Sequence, residues 1–181
     1  MVETESPTTL RILLVTDEHE NWTNLDKLIA REEPASFDFV FLSGDQANCN
    51  NQVGQLNNVV ENERAEASNR RFVESLAVMH KSGGKLYYIP GNHDAEVLMD
   101  AETMTPISPD SVNLHNRVTE IVPGLLIAGL GGSLPTLFKQ DGQNDWVNCF
   151  NPYPYLTEAD YTAAITSLWT DKVQPRITQE K

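Results

Sequence analysis

The sequence has little cysteine, little positive charge and no long apolar run. Its two cysteines, Cys49 and Cys149, stand far apart and form no C-x-x-C pair, which argues against a disulfide framework and against a thiolate zinc or redox motif. Lysine and arginine number 13 against 26 acidic residues, a net charge of −13. No basic stripe is left to neutralise phosphates, so neither general nucleic-acid binding nor binding to an anionic membrane is expected. No apolar stretch approaches membrane-spanning length. The segment Met1–Thr9 has neither the basic start nor the apolar centre of a secretory signal. With free thiols, these absences point to the cytoplasm. Repeats and low-complexity blocks are missing as well, and 181 residues suit one compact domain. We divide the chain into a disordered tail at 1–9, a domain at 10–170 and a polar, frayed tail at 171–181.

Three apolar runs of strand length are present, each leading into a polar motif. Leu10–Thr16 leads into Asp17-Glu18-His19, Phe37–Ser43 into Gly44-Asp45, and Leu86–Pro90 into Gly91-Asn92-His93-Asp94. Helices are expected between them. The first runs from about Asn21 to Glu33, with Asn21 as N-cap and Trp22, Leu25, Leu28 and Ile29 on one face. The second runs from about Asn62 to Lys81, ended by Gly83-Gly84, with His80 against its C-terminal dipole. The aperiodic stretch Gln46–Asn58 reads as a loop. Alternating strands and helices predict an α/β fold with a parallel sheet, and ligands of such sheets gather at the carboxyl ends of the strands. All three polar motifs fall at those ends.

Beyond Ala101 the texture changes. Val112–Leu114, Val118–Val122 and Leu125–Gly129 read as short strands in antiparallel pairing, with turns at Asn116 and Pro123-Gly124. His115 precedes the first of these turns and reads as a turn residue. Gly129-Leu130-Gly131-Gly132-Ser133 does not fit G-x-G-x-x-G, because Leu134 occupies the last glycine position; it reads as a loop allowing close backbone approach, with phosphate contact as a further option. A last helix is expected from Glu158 to about Thr170, with Thr157 as N-cap and Tyr161, Ile165, Leu168 and Trp169 on one face.

Asp17, His19, Asp45 and Asn92 form a mixed oxygen and nitrogen donor set, which suits Mn, Fe or Zn better than Ca or Mg. One aspartate can bridge two cations about 3.5–4 Å apart, the spacing that clamps the oxygens of a phosphate ester. His93 would protonate the departing alkoxide, with Asp94 holding its ring in orientation. The bland alternatives are ordinary polar turns, a helix N-cap at the first motif and a turn aspartate at the second. The order and position of all three motifs weigh against them.

The three motifs resemble the first three sequence blocks of the calcineurin-like metallophosphoesterases. Asp17-Glu18-His19 is similar to that family's D-x-H, Gly44-Asp45 to its G-D block and Gly91-Asn92-His93-Asp94 to its G-N-H-D/E. The resemblance implies that Asp17 and His19 bind a first metal, that Asp45 bridges, that Asn92 binds a second and that His93 is the acid. It implies hydrolysis of phosphomonoester or phosphodiester bonds by a metal-bridging hydroxide, two divalent cations and a phosphate-ester substrate. It also implies a four-layer α-β-β-α sandwich. Two later blocks of the family, a histidine at a further strand end and a closing G-H-x-H, are absent. The chain therefore reads as the amino-terminal two-thirds of the fold, and the alternative expectation is a truncated member that is weakly active or inactive and acts as a binding or regulatory protein. A nucleotide-binding α/β domain is a third reading, resting on the glycine-rich stretch alone.

Overall fold

A computed structural model describes residues 9–48, 59–99, 107–133, 137–139, 146–148 and 157–179. The tail before Thr9 and most of the loop expected at Gln46–Asn58 lie outside the described residues.

The first half alternates as the apolar runs require. Strand β1 (Ile12–Val15) is followed by helix α1 (Trp22–Arg31), β2 (Phe37–Ser43), α2 (Val59–Leu76), a 3-10 turn at Ala77–Met79 and β3 (His80–Ile89). The Asn21 side chain caps α1 by accepting from the Asn24 N–H at 3.1 Å, satisfying one of the orphan amides of a helix start. Strand β4 (Ser111–Asn113) completes a four-stranded sheet in the order β1-β2-β3-β4. Every pairing in it is parallel. All four strands therefore end on the same side, and the three polar motifs meet there.

Strand side chains alternate between two cores. On one face Val40, Leu42, Leu86 and Tyr88 pack with Leu25 of α1 and with Ala65, Phe72, Val73 and Leu76 of α2. Trp22 stacks on Phe72 at 4.3 Å between ring centroids, and the Arg71 guanidinium lies over the Trp22 ring at 4.0 Å from its centroid. On the opposite face Phe39, Tyr87 and Leu114 pack with Ile121, Val122 and Ile127. These last three belong to an antiparallel hairpin of β5 (Arg117–Val122) and β6 (Leu125–Gly129). A second hairpin joins β7 (Leu137–Lys139) to β8 (Trp146–Asn148). Helix α3 (Glu158–Ser167) starts on a capping box of Thr157 and Asp160, continues through a π-helical segment at Leu168–Val173 and ends as α4 (Gln174–Gln179). The π segment touches β5. The α/β class, with helices and a parallel sheet, is that expected. No helix among the described residues is long and apolar enough to cross a membrane.

Four expectations are corrected. Helix α2 ends at Leu76, and His80 and Gly84 lie in β3, where His80 pairs with Phe37 and Lys85 with Phe39 across a bulge. Strand β4 is parallel to β3, not antiparallel. The tail expected from Asp171 is helical to Gln179. Of the four apolar residues on the last helix's predicted face, Leu168 is buried while Ile165 and Trp169 are exposed.

Candidate metal centre

The loops leaving β1 and β2 are joined before any side chain acts. Backbone N–H groups of Asp17, His19 and Glu20 donate to the carbonyls of Gly44, Asp45 and Gln46 at 3.1, 2.8 and 2.9 Å. To run side by side, the two loops adopt left-handed backbone at Asp17, His19, Glu20 and Asp45, with φ of 61°, 45°, 60° and 58°. Each such residue costs about 1–3 kcal/mol, and strain of this kind gathers at functional sites. The result is one cluster: a ligand atom from each of Asp17, His19 and Asp45 lies within 4.8 Å of the others. His19 Nε2 sits 3.0 Å from Asp17 Oδ1, with the two side chains 36% and 70% exposed.

Asp45 is half-buried, and its carboxyl is pushed above the usual carboxylate range. Burial is the main cause and the Asp17 charge adds to it, against the pull of the His93 N–H and of His19. A half-buried carboxylate crowded by a second one favours a cation between them. Oxygen, nitrogen and oxygen donors converging on one point fit a transition metal. The three residues fit the group.

The third motif closes over Asp45. The His93 N–H donates to Asp45 Oδ1 at 2.9 Å, and the Asn92 N–H also bonds to this carboxylate. The His93 ring meets the His19 ring edge-on, 4.6 Å between centroids. Asn92 lies half-buried in the same turn. Glycines make the fit: a Cβ at Gly44 would stand 2.9 Å from the Gly91 nitrogen, and one at Gly91 would collide with the Asp45 carboxylate.

Asp94, expected from the sequence to orient the His93 ring, is met by four donors from other residues. Its Oδ2 accepts from the Asp45 and Gly91 N–H groups, and its Oδ1 from the Ala47 N–H, all at 2.8 Å, with the Asn69 amide as a fourth donor at 2.6 Å. Four donors fill the four lone-pair positions of a carboxylate. Asp94 is buried and ties the β2 loop to the β3 turn.

Sequence reasoning missed the contribution of α2. Arg64 and Ser68 both donate to Glu20 Oε1, fixing the residue next to His19. Burial raises the Glu20 carboxyl, but the Ser68 hydroxyl and Arg64 outweigh it and leave it below the usual range. A depressed carboxyl contributes stability above its unfolded value of about 4.3 and loses it as pH falls through the folded value. The Glu20 contribution to the urea midpoint should therefore drop as pH falls below about 4.3 in the native chain. Arg64→Ala should flatten that drop; an equally steep loss in the variant would contradict the assignment.

Two histidines lie outside the centre. His80 is in β3. His115 is buried, and its Nδ1 accepts from the Gly131 N–H at 3.0 Å. The Gly132 N–H donates to the Pro90 carbonyl at 2.8 Å, and a Cβ at Gly131 would strike Pro90. The glycine-rich loop thus makes the close backbone approach expected of it. Two of its amides are bonded within the protein rather than presented to a phosphate.

Residues 10–177 match the family profile described as calcineurin-like phosphoesterase. The chain is also similar in structure to TT1561 of Thermus thermophilus, with a TM-score of 0.52 and 20% sequence identity over 89% of this chain and 63% of that one. At that identity the likeness speaks to the fold alone, and the chain spans less than two-thirds of that protein's length. No curated protein matches the chain.

Proposed function

The chain belongs to the calcineurin-like phosphoesterase family, and from that premise we propose that it hydrolyses phosphomonoester or phosphodiester bonds at the cluster of Asp17, His19 and Asp45. The observation that carries this reading is the convergence of those three side chains within 4.8 Å, with the His93 ring 4.6 Å from that of His19. Asp17 and His19 would hold one divalent cation, Asp45 would be shared, and Asn92 would face a second; Mn, Fe or Zn suits the donors. Bound there, the cations would polarise the phosphoryl group and acidify a water. The chain's own residues do the rest. The Asn92 and His93 amides hold the Asp45 carboxylate in place. His93, half-buried at the edge of the cluster, would give a ring proton to the departing alkoxide. Asp94 acts through the backbone, keeping the Asp45 and Gly91 amides in register.

The test is hydrolysis of p-nitrophenyl phosphate and bis(p-nitrophenyl) phosphate by the full chain with added Mn2+. Turnover should appear with the metal and vanish with chelator. On an alkyl ester such as glycerol phosphate, whose departing alkoxide needs a proton, His93→Ala should lower kcat by about 100-fold to 10,000-fold, the usual contribution of a general acid, while Mn2+ affinity stays within a few-fold. Unchanged turnover of that ester in His93→Ala would remove the proton-donor role.

A second reading, a binding or regulatory member with weak turnover, is favoured by the placing of two other histidines: His80 lies in β3, and the His115 Nδ1 accepts from the Gly131 N–H. Mn2+ binding with no hydrolysis of any of these esters would support it.

A further inference from the structure

Helix α2 turns Ala65, Phe72, Val73 and Leu76 toward the sheet, and Asn69 stands in the middle of that stripe, 2% exposed. Asparagine is a poor mid-helix residue, and a buried amide left without partners costs about 1–3 kcal/mol. An apolar residue would serve packing better. Both polar atoms of the amide are bonded instead: its Nδ2 donates to Asp94 Oδ1 at 2.6 Å, and its Oδ1 accepts from the Ala95 N–H at 3.2 Å. Both bonds end on the turn after β3.

Of the four donors around the Asp94 carboxylate, three are backbone amides of the motif loops, and Asn69 supplies the fourth from the helix layer. The three amides move with the loops, whereas Asn69 is anchored in a packed helix. We propose that Asn69 is a positioning residue for the cation site. It fixes the Asp94 carboxylate in the orientation from which it holds the Asp45, Ala47 and Gly91 amides, and so sets where Asp45 and the Gly91–His93 turn stand. The inference rests on the reading of Asp17, His19 and Asp45 as the cation site. Neighbouring Ser68 and Arg64 hold Glu20 in the loop after β1. Helix α2 thereby holds both the loop after β1 and the turn after β3.

The test uses the full chain with Asn69→Ala and with Asn69→Leu, which has the same branched side-chain shape and leaves no cavity. Residue-resolved amide hydrogen exchange, without added metal, is the first readout. Exchange at the Asp45, Ala47 and Gly91 amides should accelerate by about 10-fold or more, as expected when a hydrogen bond to a charged group is lost. The amides of Val40, Leu86 and Tyr88 in the strands should change much less. The second readout is Mn2+ affinity by calorimetry, which should fall by about 10-fold or more, the scale of losing an outer-shell partner. Unchanged exchange at the three amides would overturn the proposal, as would equal acceleration throughout α2 and the sheet. Unfolding of both variants would assign Asn69 to general stability and overturn it too. A native chain that binds no Mn2+ would defeat the cation-site reading, while amide exchange would still decide the role of Asn69.

Discussion

Gly91→Ala should destroy the cation site while leaving the sheet in place. A methyl group at position 91 would stand 2.7 Å from both the Asp45 nitrogen and its carboxyl carbon. Asp45 cannot retreat easily, because Gly44 packs backbone to backbone against Gly91 on the same side. The Asp45 carbonyl is also bonded to the His19 N–H. The strain must be relieved by moving the carboxylate, the turn or both. Overpacking of this kind costs about 1–3 kcal/mol of stability, which a folded domain of ordinary stability survives. The functional effect should be larger, because Asp45 and His93 are displaced together. Mn2+ affinity and ester hydrolysis should each fall by about 100-fold or more, the upper end of what outer-shell losses cause. Gly124→Ala is the control. It has φ of +78° but nothing within 4 Å of the added methyl group, so it should cost about 1 kcal/mol and leave Mn2+ affinity unchanged. Similar affinities in the two variants would show that the Gly91 contact does not shape the site.

Asp45→Asn should separate metal binding from folding. Asparagine keeps an oxygen to accept from the His93 N–H and removes the charge that burial and Asp17 make unfavourable. Because the Asp45 carboxyl is raised, its ionised form lowers stability as pH rises through the folded value. Without metal, the variant should therefore be at least as stable as the native chain near neutral pH. With metal the order reverses. At a Mn2+ concentration of 100 times its dissociation constant, the native chain should gain about 2.7 kcal/mol, seen as a higher melting temperature, and Asp45→Asn should gain little. Hydrolysis should fall by about 100-fold or more. A variant stabilised by Mn2+ as strongly as the native chain would remove Asp45 from the ligand set.

The sheet was legible because its strands are short apolar runs, each ending on a motif, and a parallel sheet has one carboxyl end where ligands collect. Asp17, His19 and Asp45 meet there as the motifs implied. The end of α2 was not legible: Ala77 to Lys81 contains no breaker, yet a 3-10 turn at Ala77–Met79 ends the helix and pairing of His80 with Phe37 begins β3. Tertiary pairing overrides local propensity. A three-residue strand such as β4 carries alternation but no direction, so its parallel pairing is visible only in the structure. At the C-terminus, polar composition concealed a helix, in which Pro175 stands just beyond the π-helical segment. The role of Asp94 depends on which amides surround it, and motif spacing does not state that. Asn69 did leave a trace, a polar residue on an otherwise apolar stripe of α2.

Anomalous X-ray diffraction at the manganese edge, from crystals of the full chain grown with Mn2+, tests the cation site most directly. The predicted result is a peak bonded to Asp17, His19 and Asp45. The contradicting result is no peak at these residues, or manganese bound elsewhere on the chain.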